Sequence, residues 1–246
     1  MRKRRRRSVY LLPNLLTSMS LFGGFYSMVA TLDAKFFQAS VAIFVSCILD
    51  ALDGRVARMT NSTSRFGVEY DSLADVIAFG VAPGLLAYIW GLKAYGRFGW
   101  LAAFLYVACG ALRLARFNVQ ADTVQKKQFL GLPIPAAAAT IAASVLFFTE
   151  LGLPIEVKKV FVPLLVYALA FLMVSAVRYN SFKESSALRS RHFDAVVIAI
   201  LLFVIVLIEP AIMLFVMTMA YMLSGPVSYI FKRRPIPEEI PHSKEI

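Results

Sequence analysis

Eight long apolar stretches constrain this chain to a bundle of helices in a lipid bilayer. Of its 246 residues, 59% are hydrophobic and 17% are charged, an apolar share above that of typical soluble domains. Most stretches are long enough to cross about 30 Å of hydrocarbon as helices, which satisfy their backbone hydrogen bonds internally. The sequence therefore predicts an all-α, polytopic integral membrane protein with about eight transmembrane helices, at residues 12–30, 36–58, 68–91, 98–117, 133–152, 160–178, 194–208 and 210–230.

The basic residues predict the orientation of this bundle. If the N-terminus is inside, the outer ends of the spans hold only five of the 26 Lys and Arg residues, namely Lys35, Lys93, Arg97, Lys158 and Lys159. Basic loops stay in the cytoplasm, so both termini are expected there. The net charge of +11 is spread over helix ends that face one leaflet. It therefore favours membrane lipids with anionic headgroups as partners, and no nucleic acid.

Four aspartates interrupt the second and third apolar stretches. Asp50 and Asp53 are three positions apart and Asp71 and Asp75 are four apart, so each pair lies on one helix face. We expect a cytoplasmic turn at residues 59–66 between two antiparallel helices. Counted from that turn, Asp53 and Asp71 lie about 6 to 8 Å deep, and Asp50 and Asp75 about 12 Å deep.

Carboxylates at matching depths in a membrane predict a metal site. Two divalent cations would balance the charge of four carboxylates, which would otherwise repel strongly. Ligation by oxygen alone favours Mg²⁺ or Mn²⁺ over zinc. A pair of such ions is suited to phosphoryl transfer. Gly54 leaves room for a ligand against its helix, and Arg58 offers a fixed positive fork that suits a phosphate.

Two other interpretations of the aspartates stay open. They could be satisfied polar groups that cap helix ends or pair with Arg55, Arg58 and Arg65. They could also mark the ion pathway of a cation transporter, although all four lie near one surface and no later span supplies a matching acid. The sequence has no Gly-x4-Gly-Lys phosphate loop and no dinucleotide-binding glycine motif. Nothing in it therefore indicates an ATP-driven or a nicotinamide-dependent enzyme.

The aspartates belong to a longer motif, Asp50-x2-Asp53-Gly54-x2-Ala57-Arg58-x8-Gly67-x3-Asp71-x3-Asp75. At every signature position it resembles the motif of the CDP-alcohol phosphotransferase family. The resemblance implies a six-helix catalytic core in which a CDP-linked substrate binds two metal ions and an alcohol displaces CMP. It also implies that Asp50, Asp53 and Asp71 are metal ligands. Asp75 would be both a metal ligand and the general base.

The resemblance further implies which residues contact CDP-diacylglycerol. In the motif and the turn inside it, these are Gly54, Ala57, Arg58, Ser64 and Gly67. Arg58 would contact the phosphates. Asn14 and Thr17, in the first stretch, would meet the nucleotide end of the substrate. Both could equally cap or pack the start of a helix.

Three further stretches are similar to the members of the family that use L-serine as the acceptor: residues 69–83, 113–118 and 131–135. This similarity implies transfer of the phosphatidyl group from CDP-diacylglycerol to the serine hydroxyl. Arg113 and Arg116 could hold the serine carboxylate or the lipid phosphate, and Asn118 could also contact the acceptor. Both arginines could instead be ordinary positive-inside anchors. Glycerol 3-phosphate, inositol phosphate or another alcohol stays open as the acceptor.

The predicted organisation has four parts. A basic cytoplasmic segment at residues 1–11 precedes the catalytic core at 12–178, two additional transmembrane helices follow at 179–231, and 232–246 form a cytoplasmic tail. The active site is expected near the cytoplasmic face of a bacterial or archaeal inner membrane. The family resemblance alone implies a homodimer.

Overall fold

Helices make up nearly all of the chain that the computed structural model describes, which is residues 2–60, 64–121, 129–179 and 208–231. Within these ranges the strands are β1 (Phe129–Leu130) and β2 (Arg178–Tyr179), which form a two-residue antiparallel ladder, and short turns join the helices. The predicted all-α membrane fold is confirmed. The helices are α1 (Arg2–Leu32), α2 (Phe36–Met59), α3 (Arg65–Asp75), α4 (Ala82–Ala87), α5 (Arg97–Ala121), α6 (Ile134–Glu150), α7 (Ile155–Val174) and α8 (Pro210–Phe231).

Six helical segments in the described ranges are long and apolar enough to cross a membrane. They are Leu12–Leu32, Phe36–Met59, Arg65–Tyr95, Arg97–Val119, Ile155–Val174 and Pro210–Ile230. They match the first four, the sixth and the eighth predicted spans. The fifth predicted span is the shorter apolar helix α6, with 17 residues. Of the seventh, 194–208, the structure describes Ile208 alone, and the predicted tail at 232–246 also lies outside the described residues.

The third span is one continuous helix whose hydrogen-bonding pattern changes along its length. Directly after Asp75, α3 passes into a π-helical segment, Val76–Val81, and α4 passes into a second one, Tyr88–Leu92. π-Helical turns are wider than α-helical ones and are frequent at functional sites. The change therefore occurs beside the last aspartate of the motif.

A proline in this helix explains one contact with α5. Pro83 has no N–H to donate to the carbonyl of Phe79, four residues earlier. The buried hydroxyl of Tyr106 on α5 donates to that carbonyl at 3.0 Å instead. A buried carbonyl without a donor would cost free energy, so this bond ties α5 to the irregular part of the third span.

Small and hydroxyl residues let α1 pack closely against its neighbours. The Ser20 hydroxyl donates to the Ser46 carbonyl at 3.1 Å, and the Ser46 hydroxyl donates to the Ser20 carbonyl at 3.0 Å. A Cβ atom added to Gly24 would lie 2.5 Å from the Cα atom of Ala78. Close approach at small residues and hydrogen bonds between helices are the usual means of helix association in lipid. They hold α1 against α2 and the third span.

The centre of the bundle is α6, which the other helices surround. Its buried residues include Ala137, Ala138, Ile141, Ala142 and Val145. At its far end, the ring of Phe147 stacks on Phe215 of α8, with 4.1 Å between centroids. Large apolar side chains on the outer surface are exposed, as expected for a bundle that faces lipid.

The segment before α6 is joined to the end of α7. The Gly131 amide donates to the Val177 carbonyl at 2.8 Å, and the Leu132 amide donates to the Leu172 carbonyl at 3.0 Å. Gly131 has a φ of +81°, and a Cβ atom there would collide with the carbonyl oxygen of Met173. Only glycine fits this backbone conformation without strain. The β1–β2 ladder extends the same junction.

The close approach of α1 to the third span can be tested with Gly24→Ala. The added methyl must push the Ala78 backbone away, and such overpacking costs about 1–3 kcal/mol. Gly80→Ala is the matched control, because the nearest atom to a Cβ there would be 3.8 Å away. We expect a lower thermal unfolding midpoint for Gly24→Ala than for Gly80→Ala in detergent. Equal midpoints would contradict the contact.

Candidate active site

The four aspartates converge where α2 ends and α3 begins, which we call the aspartate end of the bundle. Asp50, Asp53 and Asp71 each offer a carboxylate oxygen within 4.8 Å of the others. The carboxyl group of Asp75 is near enough to that of Asp50 to interact with it. The structure therefore brings together all four acids that the sequence pattern singled out.

The turn between the two helices is shorter than the spacing suggested. We expected it at residues 59–66, but α2 continues to Met59 and α3 begins at Arg65. The difference arises because the Ser64 hydroxyl accepts a hydrogen bond from the Gly67 amide at 3.0 Å and caps α3. A capped helix can start earlier than its apolar pattern does.

The aspartates lie in a partly desolvated environment. Asp53 is 4% exposed, and Asp50, Asp71 and Asp75 are half-buried. Among the described residues, no arginine or lysine nitrogen lies within 4.0 Å of any of the four. The pairing with Arg55, Arg58 or Arg65 that the sequence left open is therefore not formed. The negative charge of the cluster is left for something other than these side chains to balance.

Thr17 of α1 supports the cluster. Its buried hydroxyl lies 2.8 Å from Asp53 Oδ2 and 3.1 Å from the Pro13 carbonyl oxygen. A hydroxyl has one proton, so the shorter contact, to a carboxylate, is the stronger of the two. Thr17 thus orients an Asp53 oxygen. Its predicted contact with the nucleotide end of the substrate stays a prediction.

The donor set suits divalent cations. All the ligand groups that converge here are carboxylates, the type of oxygen donor that Mg²⁺ and Mn²⁺ take in proteins. The oxygens of Asp50, Asp53 and Asp71 are close enough to one another to share an ion. Asp75 interacts with Asp50 and Asp71 and so belongs to the same cluster. The residues present therefore fit the metal site that the sequence predicts.

The predicted phosphate contacts lie on the last turns of α2. A Cβ atom on Gly54 would meet the terminal nitrogens of Arg58 at 3.7 and 3.9 Å. The guanidinium therefore lies over the glycine, where an ordinary side chain would reach it. Arg58 is exposed, and Gly54 and Ala57 are half-buried. This leaves a positive group accessible at the rim of the aspartate cluster.

The start of α3 meets α1 at the same end of the bundle. A Cβ atom on Gly67 would lie 3.1 Å from Ser64 Oγ and 3.4 Å from Asn14 Oδ1. Gly67 thus leaves room for the polar side chains of Ser64 and Asn14, both of which belong to the sequence prediction. Free amides at a helix N-terminus attract anions. Contact of Asn14, Ser64 and Gly67 with a substrate stays a prediction.

The three predicted acceptor residues on α5 have different surroundings. Arg113 is buried, and its charge is close enough to Asp75 to interact with it. Arg116 is exposed. The Asn118 side-chain amide donates to Ser72 Oγ at 2.9 Å, which joins α5 to α3. Arg113 is therefore the predicted acceptor residue that the structure places beside the aspartates.

Sequence reasoning missed three residues near the site. Ser18 and Tyr70 share a hydrogen bond of 2.8 Å between their hydroxyls, which joins α1 to α3 beside Asp71. Tyr221 of α8 lies near enough to Arg113 for an electrostatic interaction. Tyr70 directly precedes Asp71 of the motif, and this position could have identified it as a site residue. No spacing rule links Tyr221 to Arg113, because they lie on helices far apart in sequence.

A comparison with protein families assigns this arrangement to a class. The sequence model of the CDP-alcohol phosphatidyltransferase family matches residues 10–174. The chain belongs to this family. The matched range contains all four aspartates, Thr17 and Arg113, and it ends before β2 and α8.

Three relatives are similar to this protein over most of its chain. CDP-diacylglycerol–serine O-phosphatidyltransferase of Helicobacter pylori (strain ATCC 700392 / 26695) is 40% identical over 91% of this chain and 92% of its own length. Archaetidylserine synthase of Methanothermobacter thermautotrophicus is 37% identical over 70% of each chain. CDP-diacylglycerol–serine O-phosphatidyltransferase of Bacillus subtilis (strain 168) is 33% identical over 72% of this chain and 93% of its own length.

The support of Asp53 by Thr17 can be tested with Thr17→Val, which keeps the shape and removes the hydroxyl. Loss of a group that orients a metal ligand typically costs about 10- to 100-fold in metal affinity. We expect the affinity for Mn²⁺, titrated on purified protein by isothermal calorimetry, to fall by that factor. Thr149→Val is the control, since the Thr149 hydroxyl donates to the Val145 carbonyl of its own helix. Equal affinities in both variants would contradict the role of Thr17.

Proposed function

We propose that this protein is a CDP-diacylglycerol–serine O-phosphatidyltransferase. It transfers the phosphatidyl group of CDP-diacylglycerol to the hydroxyl of L-serine and releases CMP. The observation that carries this proposal is the convergence of Asp50, Asp53, Asp71 and Asp75 in a chain of the CDP-alcohol phosphatidyltransferase family. The names of the Helicobacter and Bacillus relatives support serine as the acceptor.

The four aspartates would hold two divalent ions, Mg²⁺ or Mn²⁺. When bound, the metals stabilise negative charge on the phosphate oxygens of the reacting group. The protein contributes the arrangement of the carboxylates. Thr17 orients the Asp53 carboxylate. The hydrogen bonds between α1 and α2 hold these two helices in register, and so fix the position of Asp53 along the bundle.

The nucleotide diphosphate would lie at the rim of this cluster. Arg58 presents a guanidinium over Gly54, and this group pairs with phosphate oxygens through two parallel hydrogen bonds. Ser64 and Gly67 form the N-terminus of α3, where backbone amides attract negative charge. Asn14 lies next to Gly67 and is placed to contact the nucleotide end.

The lipid part of the substrate would lie in a groove between α1 and α2. The groove has a volume of about 620 Å³, is mainly apolar and opens to the outer surface of the bundle. It reaches Ser18, the neighbour of Thr17, so a chain lying in it would begin beside the aspartate cluster. Its lining includes Met19, Phe22, Phe37, Val41, Val45 and Leu49.

Asp75 would act as the general base. It accepts the proton of the serine hydroxyl as the serine oxygen forms a bond to the phosphatidyl phosphorus. The bond from that phosphorus to the bridging oxygen breaks, and CMP leaves with the bonding electrons. Asp75 suits this role because it interacts both with Asp50 of the cluster and with Arg113 of α5. The acceptor would therefore enter between Asp75 and α5.

The orientation in the membrane follows from charge. The aspartate end carries Arg55, Arg58 and Arg65, whereas the opposite ends of the spans hold few basic residues. We infer that the site and both termini face the cytoplasm of a bacterial or archaeal cell. A homodimer is part of the same proposal, carried by family membership alone.

The role of Asp75 can be tested with Asp75→Asn, which keeps the size of the side chain and removes the base. Loss of a general base costs about 10² to 10⁴ in rate, and loss of a metal ligand adds to it. We therefore expect CMP release to fall below a thousandth of the wild-type rate without loss of folded protein. Asp33→Asn is the control, because Asp33 pairs with Lys35 on the exposed surface. An active Asp75→Asn protein would rule out this base.

The acceptor can be identified with purified protein, CDP-diacylglycerol, Mg²⁺ or Mn²⁺, and a panel of alcohols. We expect rapid CMP release with L-serine and little with glycerol 3-phosphate or inositol phosphate. A phosphate-bearing acceptor would need more positive charge than the buried Arg113 supplies beside Asp75. Preference for another alcohol would replace serine in the proposal. Ion flux in liposomes without CMP release from any acceptor would indicate a transporter instead.

A further inference from the structure

The last described helix, α8, is fixed to the core by a buried tyrosine. Tyr179 in β2 is 2% exposed, and its hydroxyl donates to the Met222 carbonyl on α8 at 2.9 Å. Burial raises the pKa of Tyr179 to about 12, so the hydroxyl keeps the proton that it donates. Gly225 lies against the Tyr179 ring, where any Cβ atom would collide with it. This contact fixes the position of α8 along its axis and its rotation about that axis.

This anchoring directs Tyr221 toward the site. The rings of Tyr179 and Tyr221 are 5.6 Å apart between centroids and are inclined at 42°. Tyr221 is half-buried and lies close enough to Arg113 of α5 for their polar groups to interact. Arg113 in turn interacts with Asp75. Arg113 of α5 therefore interacts both with Tyr221 of α8 and with Asp75 of the third span.

Arg113 is a buried cation with an Nε atom that is unpaired among the described residues, as expected of a group that binds an anionic ligand. It is 8% exposed, and its Nε atom makes no hydrogen bond to the described residues. No carboxylate oxygen of the described residues lies within 4.0 Å of its guanidinium. A buried cation without such a partner is costly. An anionic ligand between Arg113 and Asp75 would remove much of this cost.

We propose that Tyr221 and Arg113 together form the binding site for the carboxylate of the acceptor amino acid. The proposal rests on the proposed function and adds a residue from outside the range that the family model matches. Arg113 supplies the charge, and the Tyr221 hydroxyl donates a hydrogen bond to the same carboxylate. Tyr221 is thus an acceptor-binding residue that distinguishes serine from alcohols without a carboxylate.

The chemistry of serine fits this arrangement. Its hydroxyl and its carboxylate are attached to neighbouring carbons of a three-carbon chain. An acceptor held by its carboxylate at Arg113 must therefore present its hydroxyl close by, which is where Asp75 lies. An alcohol that lacks the carboxylate would reach Asp75 without contacting Tyr221.

The comparisons place a limit on the size of the effect. The family model matches residues 10–174, which do not include α8. A contribution from α8 should therefore strengthen serine binding without being required for the chemical step. This predicts an effect on KM and little effect on kcat.

The test compares L-serine with L-serinamide, which has the same hydroxyl and amine but no carboxylate. Tyr221→Phe removes one hydrogen bond to a charged group, so we expect KM for L-serine to rise about tenfold. The kcat for serine and both constants for serinamide should change less than about twofold. Tyr229→Phe is the matched control, because Tyr229 lies on the same helix and is exposed.

The outcomes separate the two proposals. A rise in KM confined to serine supports the carboxylate site. An equal effect on both acceptors, or none on either, with an active wild-type protein would overturn the role of Tyr221 and leave the proposed function intact. A wild-type protein that releases no CMP with either acceptor would overturn both.

Discussion

The concentration of four carboxylates in one small region of an apolar bundle is the constraint on which the rest of the structure depends. Asp53 is buried and its three companions are half-buried, yet no described arginine or lysine pairs with them. Such charge needs cations in order to persist at this depth. The helices around it are arranged accordingly. Thr17 donates to Asp53, the Ser20–Ser46 bonds hold α1 and α2 in register, and Gly24 lets α1 reach the third span.

Regular periodicity made much of this arrangement predictable from the sequence. Apolar stretches gave the spans in the described ranges, and the three- and four-residue spacings put each aspartate pair on one helix face. The turn was predicted too long because the Ser64 cap acts through a side chain and leaves no apolar signal. The bond from Tyr106 to the Phe79 carbonyl could not be predicted, since it depends on how α5 packs beside Pro83.

The arrangement also separates two kinds of task within one chain. The aspartate cluster lies entirely within the range that defines the family, residues 10–174, and is the part that we propose binds the metal ions and the CDP-linked substrate. The proposed acceptor site combines Arg113 from that range with Tyr221 from α8, which lies beyond it. The stacking of Phe147 on Phe215 links the two parts directly, and the Tyr179 hydroxyl bond fixes α8 to the strand that pairs with β1. Changes in α8 could therefore alter acceptor binding and leave the metal site unchanged.

The most direct test of the account is the number of metal ions that the aspartate cluster binds, and the distance between them. Electron paramagnetic resonance of the Mn²⁺-loaded protein measures both, because two ions about 4 Å apart have strongly coupled spins. We predict two coupled Mn²⁺ ions per chain in the wild-type protein, and loss of the coupled signal in Asp53→Asn. A single uncoupled ion, or a coupled signal that survives in Asp53→Asn, would contradict the paired-metal site.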